Sequence, residues 1–359
     1  MKNCIFHIPW KPNINQNVAP DIRVVKIRDA LRQIGYNVET VWGFGKERRK
    51  SIKRVKELIK KGTKFNFLYS ESSTIPTLLT EPHHLPTSPF LDFSFLKYCN
   101  KQSIPIGLFI RDVHWNSKDF KKYSSIKNYY AKAFHVYDVL MYNKFIDVIY
   151  LPNLKMKEKI SFLRNNIVSK QLMPGSDDIM STKVYNSEFL YVGGINPQVY
   201  DVSKLISGFK SADAKLILCC RKEDWYTYKD YYIESMNNNV EIIHYNSEEI
   251  KKKYFEISYT LLFYKQQDYR DFAIPFKLFE YITYEKPIVS SSKSAASDFI
   301  QHHDIGFSLR FNSSDLNEFL NNLPSKTEYF EKVENMKKVK NDNLWTERAK
   351  QIVRDLNSV

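Results

Sequence analysis

The sequence has 359 residues, of which 43% are hydrophobic and 26% charged, a balance typical of folded proteins and not of disordered chains. Its length exceeds the usual size of one domain, so two domains are expected. The formal net charge of +14 favours anionic partners, namely phosphorylated ligands, nucleic acid or an acidic membrane surface. No apolar run reaches the roughly 18 residues of a spanning helix, and charged residues follow the amino terminus too soon for a signal peptide.

The cysteines show no C-x-x-C spacing, and two of them are adjacent within an apolar run. They are Cys4, Cys99, Cys219 and Cys220. This pattern argues against a zinc site and against a disulfide framework. We therefore expect a protein of the reducing cytoplasm with no bound metal.

Short apolar strands alternate with helical segments along the chain, which is typical of parallel sheets covered by helices on both faces. Strands of the first half are predicted at residues 4–10, 38–42, 65–69, 104–110 and 148–151, and helices at 21–34 and 48–61. After a turn-rich stretch at 174–178, further strands are predicted near 189–192, 216–220, 240–243, 259–263, 287–290 and 307–309.

The alternation predicts an α/β protein with two successive domains. We expect an N-terminal domain at residues 1–172, a C-terminal domain at 185–340 and a terminal helix within 341–359. Open parallel sheets bind ligands at the carboxyl ends of their strands, so the cleft between the domains is the expected active site.

Residues 275–289, with the sequence PFKLFEYITYEKPIV, predict a short helix that runs into an apolar strand. Pro275 suits the first turn of a helix, and Lys277 and Glu280 then share one face. The amino end of a helix attracts phosphate, and a carboxylate one turn further on can accept two hydroxyl groups. A diphosphate joined to a ribose presents these groups in the same order, an anion followed by two adjacent hydroxyls. A surface ion pair between Lys277 and Glu280 explains the same pattern, and the residues alone leave both readings open.

This segment resembles the donor-binding segment of GT-B fold glycosyltransferases, especially those of family 4. The resemblance implies two facing Rossmann-like domains, a nucleotide-diphosphate sugar as donor and a terminal helix that crosses back to the first domain. It also implies that Glu280 holds the ribose hydroxyls and that the anomeric configuration is retained. Family members usually carry another glutamate, separated from this one by seven residues. Phe272 occupies that position here, with Asp271 one place earlier, and we assign Asp271 to the transferred sugar.

Other donor-binding residues follow from the same resemblance. Gly193 and Gly194 end an apolar strand and look like the glycine turn where the backbone approaches the phosphates. Arg221 follows the next strand, where similar enzymes place a cation that neutralises phosphate. Lys277 and Leu278 complete the expected donor site in the first helical turn. An ordinary turn and a solvated cation remain the structural alternatives for the glycines and for Arg221.

Two polar residues follow strands in the first half. The resemblance implies that His114 meets the donor sugar, and Glu71 is a candidate to orient an acceptor hydroxyl. A structural histidine and capping of a helix by the neighbouring serines are the alternatives. The sequence lacks an Asp-x-Asp metal signature, which leaves cations and a helix dipole to stabilise the diphosphate. We therefore predict transfer that needs no metal and no further cofactor.

Residues 46–64 carry ten lysines and arginines against two glutamates, a net charge of +8. Ile52, Val55 and Ile59 recur at helical spacing, which predicts one apolar face on a basic helix. Such a helix can lie on an anionic membrane surface and approach a lipid-linked acceptor. A core-facing stripe with a solvated basic exterior is the alternative. The cluster has no aromatic residue, which argues against nucleic acid as a partner.

The favoured hypothesis is a cytoplasmic glycosyltransferase, peripheral at the inner face of the membrane. It moves a sugar from a nucleotide sugar to a glycan or lipid-linked acceptor, with retention and without metal, in the assembly of a surface polysaccharide such as a capsule. Two alternatives stay open. One is a sugar-nucleotide epimerase of the same fold, and the other is a nonenzymatic basic protein that binds membranes or nucleic acid.

Overall fold

A computed structural model describes residues 2–13, 19–116, 126–265 and 272–359 of the chain. They form two compact units, one drawn from Met1–Gly175 together with Trp345–Val359 and the other from Ser176–Leu344. Each unit contains a six-stranded sheet whose paired strands are parallel. The predicted α/β class with two Rossmann-like sheets is confirmed.

The first unit is built on a sheet of order β2-β1-β3-β4-β5-β6. Its strands are β1 (Lys2–His7), β2 (Tyr36–Val41), β3 (Phe67–Glu71), β4 (Ile106–Phe109), β5 (Val148–Leu151) and β6 (Val168–Gln171). Its first four helices are α1 (Ala19–Gln33), α2 (Gly45–Lys60), α3 (Leu91–Lys101) and α4 (Ile126–Phe145). Short 3-10 turns lie at Thr77–Leu79, His114–Asn116 and Leu154–Lys159. The strand order changes direction between β1 and β3, which is where open sheets of this kind bind ligands.

The second unit is built on a sheet of order β12-β11-β10-β7-β8-β9. Its strands are β7 (Glu188–Val192), β8 (Lys215–Cys219), β9 (Val240–Ile243), β10 (Tyr259–Leu262), β11 (Ile288–Ser291) and β12 (Gly306–Leu309). Its helices are α5 (Ser203–Gly208), α6 (Lys222–Tyr232), α7 (Ser247–Tyr254), α8 (Phe276–Thr283), α9 (Ala295–His302), α10 (Ser313–Asn321) and α11 (Lys326–Asp342), with a 3-10 turn at Ile233–Ser235. The strand order reverses between β7 and β10, so the carboxyl ends of these strands mark the expected ligand edge.

The last helix, α12 (Trp345–Asn357), packs against α1 in the first unit. Its buried residues recur at helical spacing and form one apolar face, namely Trp345, Ala349, Ile352 and Leu356. Gly107 on β4 allows this helix to approach the sheet closely, since a Cβ there would lie 3.0 Å from both Cδ atoms of Leu356. The terminal helix is thereby fixed by a close helix-to-sheet contact.

The cores lie between the sheets and their covering helices. Strands β3, β4 and β5 are buried along their whole length, as expected for a sheet covered on both faces. Strand β6 is half exposed and polar, and the sequence pattern missed it. The predicted strands and helices otherwise start and end within three residues of the observed ones. Within the described residues, no helix combines the length and apolar character needed to cross a bilayer.

Candidate functional site

Helix α8 begins at the carboxyl edge of the second sheet, because it connects the parallel strands β10 and β11. Pro275 precedes it with an extended backbone, and its carbonyl accepts the N–H of Leu278 at 3.1 Å. Proline has no side chain that can cap the amino end, which retains its partial positive charge. Leu278 and Phe279 are fully buried, so they direct one face of the helix into the core. Lys277 and Glu280 are only partly buried.

The Glu280 carboxylate is held by a separate partner on each oxygen. Lys277 Nζ lies 2.6 Å from Oε2, and the Tyr254 hydroxyl donates to Oε1 at 2.9 Å. The side chains of Lys277 and Glu280 are 32% and 21% exposed, so the ion pair that was the alternative reading of this pattern is present and half-buried. A carboxylate offers about four acceptor positions, and two are used by these partners. Positions therefore remain for two further hydroxyl donors.

The glycine turn follows strand β7 at the same edge. The Gly193 N–H donates to the Cys219 carbonyl at 3.1 Å, and the Tyr191 hydroxyl donates to the Gly194 carbonyl at 2.7 Å. A Cβ at Gly193 would lie 3.0 Å from the Tyr191 hydroxyl oxygen, and one at Gly194 would lie 3.3 Å from the Tyr200 ring. Both positions therefore leave little space for a side chain. The turn is packed by the aromatic rings of its own unit.

One hydrogen bond and one electrostatic interaction connect the strand ends to helix α8. The Val192 N–H donates to the Tyr281 hydroxyl oxygen at 3.3 Å, which joins the end of β7 to the helix. Burial raises the pKa of the Cys219 thiol at the end of β8, the Lys277 charge opposes that rise and the Glu280 charge adds to it. The charges of Lys277 and Glu280 thus act on the end of β8. The ends of β7 and β8 and the charged face of α8 meet at one edge of the sheet, where a cation, a helix amino end and a carboxylate can bind an anion and a diol.

The remaining donor residues predicted from the sequence occupy different environments. Arg221 immediately precedes α6 and is exposed. The Leu278 side chain is fully buried and its N–H is already bonded, so this residue serves the core. Asp271 lies outside the described residues. Its neighbour Phe272 is buried.

Glu71 ends strand β3 with a side chain that is 0% exposed. Its Oε1 accepts hydrogen bonds from Arg23 Nε at 3.1 Å and from the Tyr69 hydroxyl at 2.9 Å. Its Oε2 accepts from Arg111 Nη2 at 3.3 Å. Two arginines and a tyrosine of the same unit therefore occupy both oxygens, and this placement favours a structural role for Glu71.

His114 opens the 3-10 turn after β4, and its side chain is 39% exposed. Its Nδ1 lies 2.6 Å from Asp112 Oδ1. Burial raises the pKa of Asp112, but the hydrogen bond and charge of His114, together with the Arg111 charge, outweigh burial and hold that pKa below its usual value. His135 packs edge-on to His114, and burial lowers its pKa to about 4, so it is neutral. His114 is thus a partly exposed imidazole anchored by an ionised carboxylate.

A model of the family described as Glucosyltransferase 3-like, C-terminal domain, matches residues 223–352. Among solved structures, Anabaena HepE in complex with UDP is 13% identical with a TM-score of 0.64, and the match covers 100% of both chains. WaaG, a glycosyltransferase involved in lipopolysaccharide biosynthesis, is 12% identical over 98% of this chain and 99% of its own, with a TM-score of 0.61. Sucrose-phosphate synthase from Thermosynechococcus elongatus is 8% identical over 100% of this chain and 99% of its own, with a TM-score of 0.65. No curated protein sequence matches the chain.

The chain has the GT-B fold, and its residues 223–352 match a glucosyltransferase-like family. The structural matches establish the fold at low sequence identity, and the family match spans the region that contains Lys277 and Glu280. The predicted resemblance and the predicted enzyme class are confirmed. Both findings favour an enzyme over the nonenzymatic alternative.

Sequence reasoning missed two tyrosine contacts at the candidate site. Tyr254 ends helix α7, follows three lysines and lies 26 residues before the carboxylate that it contacts. The local pattern gives no sign of the contact, because it depends on how α7 packs beside α8. The buried Tyr281, which joins α8 to the end of β7, was also missed for this reason.

Proposed function

We propose that this glycosyltransferase takes its sugar from a nucleotide diphosphate, with UDP as the nucleotide. The observation that carries the proposal is the charged face of α8, where a lysine and a helix amino end lie one turn from a half-buried carboxylate. An anion followed by a vicinal diol is the arrangement that a diphosphate and its ribose present. The structures of HepE with UDP and with UDP-glucose support the choice of UDP.

Lys277 can leave its ion pair when the diphosphate binds. An ion pair three residues apart on a helix contributes only about 0.2–0.5 kcal/mol. A hydrogen bond to a charged group contributes about 1.5–3 kcal/mol, so a phosphate oxygen competes well with Glu280 for the lysine. We propose that Lys277, the amino end of α8 and Arg221 stabilise the diphosphate leaving group without a metal. Gly193 and Gly194 provide backbone close to the phosphates.

Glu280 then accepts the two ribose hydroxyls, for which its carboxylate has acceptor positions left. We assign His114 and Asp271 to the transferred sugar. The anchoring of His114 by Asp112 supports its role, because a fixed imidazole is oriented before the substrate binds. Retention of the anomeric configuration is proposed from the family resemblance. We also propose that Glu71 acts on the acceptor side only indirectly, by holding Arg23 and Arg111 in position.

The acceptor is proposed to be a glycan or a lipid-linked glycan at an anionic membrane surface. Beside α2 lies a groove of about 360 Å³ whose lining is basic with an apolar floor, formed by Arg49, Ile52, Lys53, Lys56, Glu57, Lys60 and Leu91. Phe90 immediately precedes Leu91 in the chain and is 73% exposed, and Leu85 is 57% exposed. Each cation near anionic headgroups contributes about 1 kcal/mol, and exposed apolar side chains can enter the interface. Arg48 is buried, and it does not add to this surface charge.

Such a location suits a cytoplasmic enzyme, peripheral at the inner face of the membrane, that builds a surface polysaccharide such as a capsule. The description of WaaG as acting in lipopolysaccharide biosynthesis supports this assignment.

The test is a thermal-shift panel of UDP-, GDP-, dTDP- and CMP-sugars. A ligand present at 100 times its Kd stabilises a protein by about 2.7 kcal/mol, which raises the melting temperature measurably. UDP and UDP-sugars are expected to raise it and the other nucleotides are not. A panel in which no nucleotide raises the melting temperature would contradict the proposed donor.

A further inference from the structure

Tyr254 is placed rigidly beside Glu280. Helix α7 is fixed at its start by Asn246, whose side chain accepts the N–H groups of Glu248 and Glu249. At its end, the Tyr254 side chain is fully buried and stacks on the Tyr284 ring, with 4.3 Å between the ring centres and 14° between the planes. The hydroxyl then reaches Glu280 Oε1 at 2.9 Å.

We propose that Tyr254 is a positioning residue, which orients the Glu280 carboxylate toward the ribose hydroxyls of the donor. This inference rests on the proposed function. Lys277, the other partner of the carboxylate, is more exposed and turns to the diphosphate when the nucleotide binds. Tyr254 then remains as the protein group that holds the carboxylate in place.

The chemistry of the pair suits this role. Burial, with the Glu280 charge adding to it, raises the pKa of Tyr254, so the hydroxyl stays protonated and donates to the carboxylate. A tyrosine hydroxyl on a packed ring has little freedom to move, whereas a free glutamate side chain samples several rotamers. The fixed hydrogen bond therefore orders the carboxylate before the ribose arrives.

The experiment compares two probes, UDP and 2′,3′-dideoxy-UDP, by calorimetric titration of the full chain. Tyr254→Phe removes only the hydroxyl. We expect it to weaken UDP binding roughly tenfold, equal to about 1.4 kcal/mol, and to leave the affinity for dideoxy-UDP unchanged. Glu280→Ala should show the same selectivity with a larger loss, and adding Tyr254→Phe to it should cause no further loss. Tyr329→Phe is the matched control, because its buried hydroxyl donates to the Ser258 carbonyl instead.

The results distinguish a failure of the Tyr254 positioning role from a failure of the proposed function. If Glu280→Ala weakens the binding of UDP but not of dideoxy-UDP, and Tyr254→Phe weakens neither, the positioning role is wrong and the proposed function stands. If Tyr254→Phe weakens both probes equally, the tyrosine acts on the fold alone and the positioning role is again wrong. If Glu280→Ala leaves UDP binding unchanged, the ribose contact of the proposed function fails and the inference fails with it.

Discussion

Lys277 and Glu280 form an ion pair in the first turns of helix α8, with 2.6 Å between Nζ and Oε2. The pair is half-buried at the carboxyl edge of the second sheet, beside the ends of β7 and β8. A contact of this type is weak, so a diphosphate can separate its partners. In the proposed function, the pair holds both side chains in place until the nucleotide binds.

Replacing Lys277 by Ala should weaken the binding of UDP more than the binding of uridine. The lysine faces the diphosphate in this account, so removing it should cost roughly tenfold or more in UDP affinity and little in uridine affinity. Titrations of both ligands measure this difference. Lys251→Ala is a matched control, since Lys251 forms a similar 2.6 Å pair with Glu248 on α7. Equal losses for UDP and uridine would show that Lys277 does not meet the phosphates.

The sequence predicts the helices and strands of the candidate site well, because apolar periodicity marks the buried face of each element. Helix α8 and the shared face of Lys277 and Glu280 follow directly from that periodicity. Strand β6 does not, because it is a polar edge strand with alternate exposed residues. Edge strands need few apolar side chains.

Tertiary partners are what the sequence does not predict. Glu71 is bonded to Arg23 and Arg111, which lie 48 and 40 residues away, and Tyr254 reaches Glu280 across 26 residues. Each of these contacts depends on how helices and strand ends pack, which local pattern does not encode. The sequence therefore identified candidate side chains but not the neighbours that fix them.

Replacing Glu71 by Gln should destabilise the first unit. The change leaves the buried Arg23 and the partly buried Arg111 without their counter-charge, which costs about 3–5 kcal/mol. Urea denaturation measures the loss. Glu47→Gln, which breaks an exposed pair with Lys11, should cost less than about 1 kcal/mol. Unchanged stability would contradict this structural role and leave Glu71 only its proposed role on the acceptor side.

The buried Asp138 of helix α4 should make stability depend on pH. One oxygen accepts the Thr77 N–H at 2.8 Å, while the other has no hydrogen-bond partner within the described residues. Burial raises the pKa of Asp138 to about 7. The folded state therefore holds a proton that the unfolded state loses at about pH 3.9. Its stabilising effect is complete below that pH and is lost as the pH rises toward 7.

Asp138→Asn removes this titration. Relative to the wild type, the variant should gain up to about 4 kcal/mol of stability between pH 4 and pH 8, since each pKa unit corresponds to 1.36 kcal/mol. Melting temperatures of both proteins across this range measure the difference. Parallel profiles for the two proteins would rule out Asp138 as the titrating group.

Neutralising the groove beside α2 should weaken membrane binding and leave nucleotide binding intact. The change is Lys53→Gln, Lys56→Gln and Lys60→Gln together, which removes about 3 kcal/mol of attraction to anionic headgroups. Sedimentation with phosphatidylserine-containing vesicles measures it. The control removes three exposed lysines of the second unit, Lys229, Lys251 and Lys252. Equal losses in both triple variants would mean that net charge, and not this groove, drives the binding.

His114→Ala should lower the turnover of the donor sugar without changing UDP affinity. The anchored imidazole faces the sugar in this account, and a misplaced sugar costs about 10²-fold in rate. Release of UDP from the UDP-sugar that gives the largest thermal shift measures kcat, and titration with UDP measures Kd. An unchanged kcat would leave His114 with a structural role.

The most direct test of the central claim is a crystal structure of the chain with UDP bound. We expect the diphosphate at the amino end of α8 beside Lys277, and the ribose hydroxyls within about 3.2 Å of the Glu280 carboxylate. Tyr254 should keep its hydrogen bond to that carboxylate. UDP bound at another place, with Lys277 and Glu280 still paired to each other, would contradict the account.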